Sequence, residues 1–250
     1  MTLPNDAPLQ KIQFYATTPY SCGYLEGKLA QSLIAAPHHL IDANTYSGLI
    51  QLGFRRSGKF AYRPHCENCN ACVPVRIPVA DFTPTRSQRR ARKQHQNLTA
   101  SIIPLAYSEE HFQLYQAYQL ARHSLVNSDA DNSEQETAEQ YRNFLVQSNV
   151  ESILIEFRLD GLLKMVSVVD IVRDGISAVY TFYDAKDTNC SYGTFNIMWL
   201  VEWAQQLNAK YLYLGYWIAD SPKMAYKQKF VPQEGLIDGE WVRMDELHQK

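Results

Sequence analysis

Residues 152–226 constrain the fold more than any other stretch of this chain. Three short runs rich in β-branched and aromatic residues, 152–158, 163–172 and 176–184, follow one another. Asp160-Gly161 and Asp174-Gly175 separate them. Asp-Gly between such runs is a strong hairpin signal, so the three predict an antiparallel meander. Residues 192–209 then place Phe195, Met198, Trp199 and Trp203 at three- and four-residue steps. That spacing predicts a helix with one buried face. Residues 210–218 predict a further strand beside the meander. The start of the helix, around Cys190-Ser191-Tyr192-Gly193-Thr194, offers free backbone N–H groups to an anion or an oxygen.

The rest of the chain sets bounds on what surrounds this unit. A length of 250 residues allows one large or two small domains. No apolar run reaches the 18 or so residues of a membrane span, and the opening MTLPNDAPLQK lacks the basic start and apolar core of a signal peptide. Five cysteines, three of them clustered, fit a reducing compartment better than a disulfide framework, which predicts a cytoplasmic protein. The net charge of −2 hides an asymmetry: residues 1–100 sum to +7 and residues 101–250 to −9. Most of the positive charge lies between Arg55 and Lys93. A basic half joined to an acidic half is the footprint of a polyanion partner, a solvated basic face being the plainer alternative.

Local signals divide the first half into short elements. Residues 14–25 predict a short strand and a turn around Pro19, residues 28–35 a short helix stopped by Pro37, and residues 45–52 a helix ending at Gly53. Residues 54–62 alternate around Gly58 and predict a hairpin. Residues 73–82 alternate as well, but Pro74 and Pro78 point to an edge or interrupted strand. Thr85 can cap a basic helix over 85–93, whose Arg86, Arg89 and Arg90 can reach phosphates. Residues 98–104 predict a strand leading out of this half, with a boundary near Pro104. A helix over 108–122 and a short one over 141–146 flank 127–139, an acidic stretch free of aromatics that predicts a loop.

His65-Cys66-Glu67-Asn68-Cys69-Asn70-Ala71-Cys72 has the spacing of a metal knuckle. Thiolates at that spacing favour zinc or an iron–sulfur cluster, with Cys22 as the fourth ligand. Reduced structural cysteines are the other reading.

Many short motifs then agree with one family in the right order. Cys22-Gly23-Tyr24-Leu25, Gly53-Phe54-Arg55-Arg56-Ser57-Gly58, Tyr62-Arg63-Pro64, Cys69 to Pro74 and Arg86-Ser87-Gln88-Arg89-Arg90 resemble the N-terminal part of the arginyl-tRNA–protein transferases. Asp170-Ile171, Phe182-Tyr183-Asp184, Tyr192-Gly193-Thr194, Tyr211 to Tyr216 and Pro222 to Lys227 resemble their C-terminal part. The resemblance runs from about Tyr20 to Trp241, and its wording is most similar to the bacterial branch.

The resemblance implies an α+β architecture. Residues 105–250 would form an acetyltransferase-like catalytic domain with a mixed, largely antiparallel sheet, and residues 1–104 a smaller α+β domain that contacts tRNA. It implies transfer of leucine from leucyl-tRNA to an N-terminal Asp or Glu of a protein, which marks that protein for degradation. Arginyl-tRNA as donor and an acetyl-CoA-dependent N-acetyltransferase are the alternative enzymes. The second would want a glycine-rich turn before the helix, where this chain has only Gly193. A non-catalytic RNA-binding protein is the alternative outside enzymes. The family's eukaryotic branch uses N-terminal cysteines for a metal, but Leu25 stands here in place of a second cysteine near Cys22, and the expectation is no metal or other cofactor. Roles are then expected as follows. Glu156, Asp170 and Tyr180 serve catalysis. Arg76, Arg122 and His123 hold the acidic side chain of the acceptor, an Arg fork suiting a carboxylate. Lys223, Tyr226 and Lys227 hold the terminal adenosine and its phosphates.

Overall fold

The computed structural model describes residues 11–123, 134–187 and 190–244, with the side chains of 122–123 and 134–136 outside that description. The chain opens with β1 (Gln13–Ala16), β2 (Tyr20–Ser21), β3 (Leu29–Ala30) and β4 (Ser32–Ala36). The helix expected over 28–35 is therefore a pair of strands. Its Ala-Leu-Ile composition suits either state. Pairing of β4 with β1 buries Ala35 and decides for strand. Next come α1 (Ala43–Gln51), β5 (Arg55–Ser57) and β6 (Phe60–Pro64). The Asp42 carboxylate accepts from the Thr45 N–H and caps α1. β1, β4, β6 and β5 form a four-stranded sheet in that order.

β7 (Val73–Pro78), α2 (Arg86–Gln94) and β8 (Thr99–Pro104) follow, then α3 (Glu109–His123) and α4 (Glu134–Tyr141). α2 begins with a full capping box, the Thr85 hydroxyl and the Gln88 side chain each bonding the other residue's backbone N–H. Part of the stretch expected as loop, 134–139, is helical in α4, and 127–133 lies outside the described residues. The short helix expected over 141–146 is a π-turn at Arg142–Val146.

The meander forms as expected, with β9 (Ser152–Leu159), β10 (Leu162–Val172) and β11 (Gly175–Tyr183) antiparallel. α5 (Tyr192–Gln206), β12 (Tyr211–Trp217), β13 (Glu234–Ile237) and β14 (Glu240–Arg243) complete the chain. One mixed eight-stranded sheet runs β14-β13-β7-β12-β11-β10-β9-β8. β7 thus lies inside the sheet, not at its edge. Its prolines are tolerated because β13 pairs only with Val75 and Arg76, leaving Pro74 and Pro78 beyond that ladder.

Helices cover both faces. On one, α5 and α2 bury Phe157, Met165, Phe195, Met198 and Leu200. On the other, α3 and its neighbours bury Phe112, Tyr141, Val166 and Phe182. A third cluster joins α1 and the small sheet to Val172 and Tyr213. Each fully buried Leu or Phe contributes roughly 1.5–3 kcal/mol, so these layers fix where the strand ends must lie. Among the described residues, no helix is long and apolar enough to cross a membrane.

Candidate active site and nucleic-acid interface

The one parallel pairing among the described strands creates an opening. β11 and β12 pair only over Gly175–Ser177 against Tyr211–Tyr213 and then diverge. Gly175 permits the contact: a Cβ there would lie 2.1 Å from the Tyr211 carbonyl oxygen. Beyond Ser177, β11 is an interior strand with one edge unpaired by any described strand, and Ala178, Val179, Tyr180, Thr181 and Tyr183 are partly exposed along it. Unpaired backbone groups in a partly exposed cleft are ready to bond a ligand.

Arg55, from β5, spans the apex of this wedge. Its Nη2 donates to the Ala178 carbonyl at 2.5 Å, while the guanidinium lies against Gly215 of β12, where an added Cβ would be only 3.4 Å from Nε. Gly215 has φ +81°, a conformation that glycine adopts at little cost. Arg55 is 8% exposed, and its Nη1 is buried without a hydrogen-bond partner. Beside it, the Lys227 ammonium donates to the Tyr216 carbonyl at 2.6 Å. Burial, and then Arg55, pull the Lys227 amine down to about 7. Ser177, at the last paired position, faces Asp170 on β10 and Tyr213 on β12.

The other expected site residues fall in several places. Asp170 is fully buried: Arg56 Nε lies 2.9 Å from both of its oxygens, and the Ser152 hydroxyl donates at 2.6 Å. Glu156 shares its strand face with α3 and bonds His111 Nε2 at 2.6 Å and Arg158 Nε at 2.8 Å. These bonds, Arg158 first, hold its carboxyl below the usual range. It stands two strands from β11, about 10 Å at ordinary strand spacing. Tyr180 lines the wedge and packs on Tyr115 and Phe144. Burial raises its phenol well above the ordinary value, so it stays protonated at neutral pH.

Arg76 is committed elsewhere. Its Nε bonds Glu234 at 2.7 Å, its Nη1 bonds Gln51 at 3.0 Å, and its guanidinium lies 3.6 Å from the Tyr211 ring centre and 4.2 Å from that of Trp241. Arg122 and His123 end α3, and their side chains lie outside the described residues. Lys223 and Tyr226 are exposed, but Lys227 is buried and belongs with Arg55 rather than with a surface loop.

Arg86, Arg89 and Arg90 lie exposed on α2. The buried Gln88 of the same helix donates to the Lys229 carbonyl at 2.9 Å, which docks the 3₁₀ turn Ala225–Lys229 against α2. Lys223, Tyr226 and Lys229 are exposed on or beside that turn, and Arg86, Arg89 and Arg90 on α2, so the exposed cations lie on two elements in contact. α2 is also tied to α5 by Arg92–Glu202 and by stacking of His95 on Tyr192.

The four candidate cysteines gather around Cys72. Burial first, then Cys66, Cys22 and Cys69, push its thiol up to about 11. Among the described residues, no group of three or more Cys, His, Asp or Glu side chains is arranged to hold a metal ion.

Arg55 is the residue that sequence reasoning missed. Its signal was the doubled arginine in a short strand bounded by Gly53 and Gly58, where alternation calls for apolar residues.

Comparison with known proteins agrees with the motif order. Residues 20–90 match the family described as arginine-tRNA-protein transferase, N terminus, and residues 110–237 match its C terminus. Relatives named aspartate/glutamate leucyltransferase include one from Methylobacillus flagellatus, 72% identical over 96% of this chain and 95% of its own. Another, from Polynucleobacter asymbioticus, is 52% identical over 96% and 98%. A third, from Thiobacillus denitrificans, is 49% identical over 97% and 99%. Among solved structures, FemX is similar over 92% of this chain and 93% of its own at TM-score 0.46 and 10% identity. L-PGS from Bacillus licheniformis is similar over 59% and 47% at TM-score 0.43 and 15% identity. Neither likeness is high enough to carry an argument. On the two matched segments and the full-length relatives, the chain belongs to the arginine-tRNA-protein transferase family, among relatives named aspartate/glutamate leucyltransferase.

Proposed function

We infer that this chain is an aminoacyltransferase that moves leucine from leucyl-tRNA to the N-terminal Asp or Glu of a protein, creating a degradation signal. The wedge between β11 and β12 carries this reading. It is an opening in a central sheet, bounded by β11 with Tyr180 and ending on the Arg55 guanidinium. The relatives' name supplies donor and acceptor.

The chemistry needs alignment more than activation. The aminoacyl ester is already activated. The acceptor amine bonds to the ester carbonyl carbon and loses a proton, the bond to the ribose oxygen breaks, and that proton is balanced by the one the ribose oxygen takes up to leave as a hydroxyl. The protein's share is to hold amine and ester together and to stabilise the tetrahedral oxygen. Tyr180, kept as a phenol, supplies a donor rather than a base. Asp170 is a positioning residue: it holds Arg56, whose chain neighbour Arg55 enters the wedge. Glu156, two strands from β11 and closed by His111 and Arg158, is assigned away from the reacting atoms. Arg86, Arg89, Arg90, Lys223 and Tyr226 receive the tRNA end, arginines on phosphates and tyrosine against a base.

The diverging parallel pair after an antiparallel meander supports an acyl-CoA N-acyltransferase-type fold. The gap between the two matched segments falls near residue 104 and supports a division there in sequence, while β7 and β8 from before it belong to the eight-stranded sheet. A tRNA substrate and five free cysteines support a cytoplasmic location.

The test is transfer of labelled leucine or arginine from the matching charged tRNA to peptides starting with Asp, Glu, Lys or Arg. Leucine on the Asp and Glu peptides alone is expected. Equal or better transfer of arginine overturns the donor.

A further inference from the structure

We propose that Arg55, with Lys227 behind it, receives the side-chain carboxylate of the acceptor's first residue. The proposal rests on the leucyl-transfer reading above and assigns its acceptor specificity.

Charge balance is the main argument. Arg55 and Lys227 are neighbours, 8% and 6% exposed, and among the described residues neither has a carboxylate partner. Each donates to a backbone carbonyl instead, Arg55 to Ala178 and Lys227 to Tyr216. A buried cation without a counter-charge is costly, and the amine beside it gives up its proton more readily as a result of burial and of that charge. The other buried arginines differ: Arg56 is closed by Asp170 and Arg76 by Glu234. Arg55 instead bonds a backbone carbonyl where β11 and β12 part, and its Nη1 is buried without a hydrogen-bond partner. An unused buried donor signals a missing acceptor.

The chemistry of the acceptor fits that gap. A guanidinium presents parallel donors that match a carboxylate, and one carboxylate restores neutrality at the Arg55 end while drawing a proton back to Lys227. The rival occupant is the tetrahedral oxygen of the reaction itself. The ester it comes from is neutral, so it leaves the Arg55 charge uncompensated until the transition state. A carboxylate compensates it in the bound complex as well. Discrimination follows, because Asn or Gln in place of Asp or Glu leaves the buried guanidinium unpaired. A loss on the order of a hundredfold in kcat/KM is expected for such a substrate.

The experiment measures kcat/KM for leucine transfer to peptides that start with Asp or with Asn, beside thermal melts of each protein. In Arg55→Gln the Asp-over-Asn preference should collapse to within about threefold, chiefly through KM of the Asp peptide, a loss of roughly 2 kcal/mol in discrimination. Arg55→Lys and Lys227→Met should each keep part of it. If Arg55→Gln slows both peptides equally through kcat with the preference intact, the group serves the tetrahedral oxygen and the proposal falls. A lowered melting temperature with the preference intact makes the role structural and is equally fatal. Should Arg55→Gln fail to fold, an unchanged preference in both Arg55→Lys and Lys227→Met overturns the proposal. A wild-type chain that transfers leucine to neither peptide refutes the leucyl-transfer reading itself, a different result from all of these.

Discussion

Arg56 and Asp170 close on each other between the small sheet and the large one. Nε lies 2.9 Å from both carboxylate oxygens and Nη2 2.9 Å from one, with side chains 2% and 0% exposed. The pair holds β5 against β10, and with it the position of Arg55 at the wedge. Breaking one side strands the other as a buried charge. Asp170→Asn is expected to cost about 3–5 kcal/mol, and a double replacement by Met and Leu is expected to recover much of that. Urea unfolding of the three variants checks both.

The exposed arginines of α2 should read as phosphate contacts. Replacing Arg86, Arg89 and Arg90 together with Ala should weaken leucyl-tRNA binding and flatten its salt dependence, each lost contact lowering the slope by roughly one unit. Since all three are exposed, the melting temperature should stay within a few degrees. Binding isotherms at several salt concentrations decide this, and an unchanged slope refutes it.

Arg76 should matter for stability rather than for acceptor choice. It is sandwiched by Tyr211 and Trp241 and paired with Glu234. Arg76→Ala is expected to cost on the order of 3 kcal/mol, from a lost buried pair and lost ring contacts. The Asp-over-Asn preference of the folded fraction should be unchanged. Peptide kinetics beside chemical denaturation tests the two halves separately.

Lys227 sets a pH dependence of stability. Its folded value of about 7 lies below the ordinary 10.5. Charging it therefore disfavours the native state, and the penalty grows as pH falls from about 10.5 to about 7 and is constant below that. Lys227→Met carries no such penalty, so its stability relative to wild type should rise as pH is lowered through that window. Paired urea melts at pH 6 to 10 measure the difference, the raised tyrosines contributing equally to both proteins.

Much of this molecule is local and was legible in the sequence. The Asp-Gly turns and alternating runs of β9 to β11, the Thr85 cap with Gln88, and the apolar spacing of α5 act over a few residues, where periodicity and capping are decisive. Motif order named the family for the same reason. The tertiary structure alone decided which charges are spent. Arg56 finds Asp170 across 114 residues, and Arg76 finds Glu234 across 158. Arg55 and Lys227 are drawn into one buried corner with no carboxylate partner among the described residues. No window of sequence separates these three arginines, because pairing and desolvation are set by what strand order brings near. The same holds for β4 and β7, where sheet partners overrode an apparent helix and an apparent edge. Chemistry was written in the residues, but its allocation waited on long-range packing.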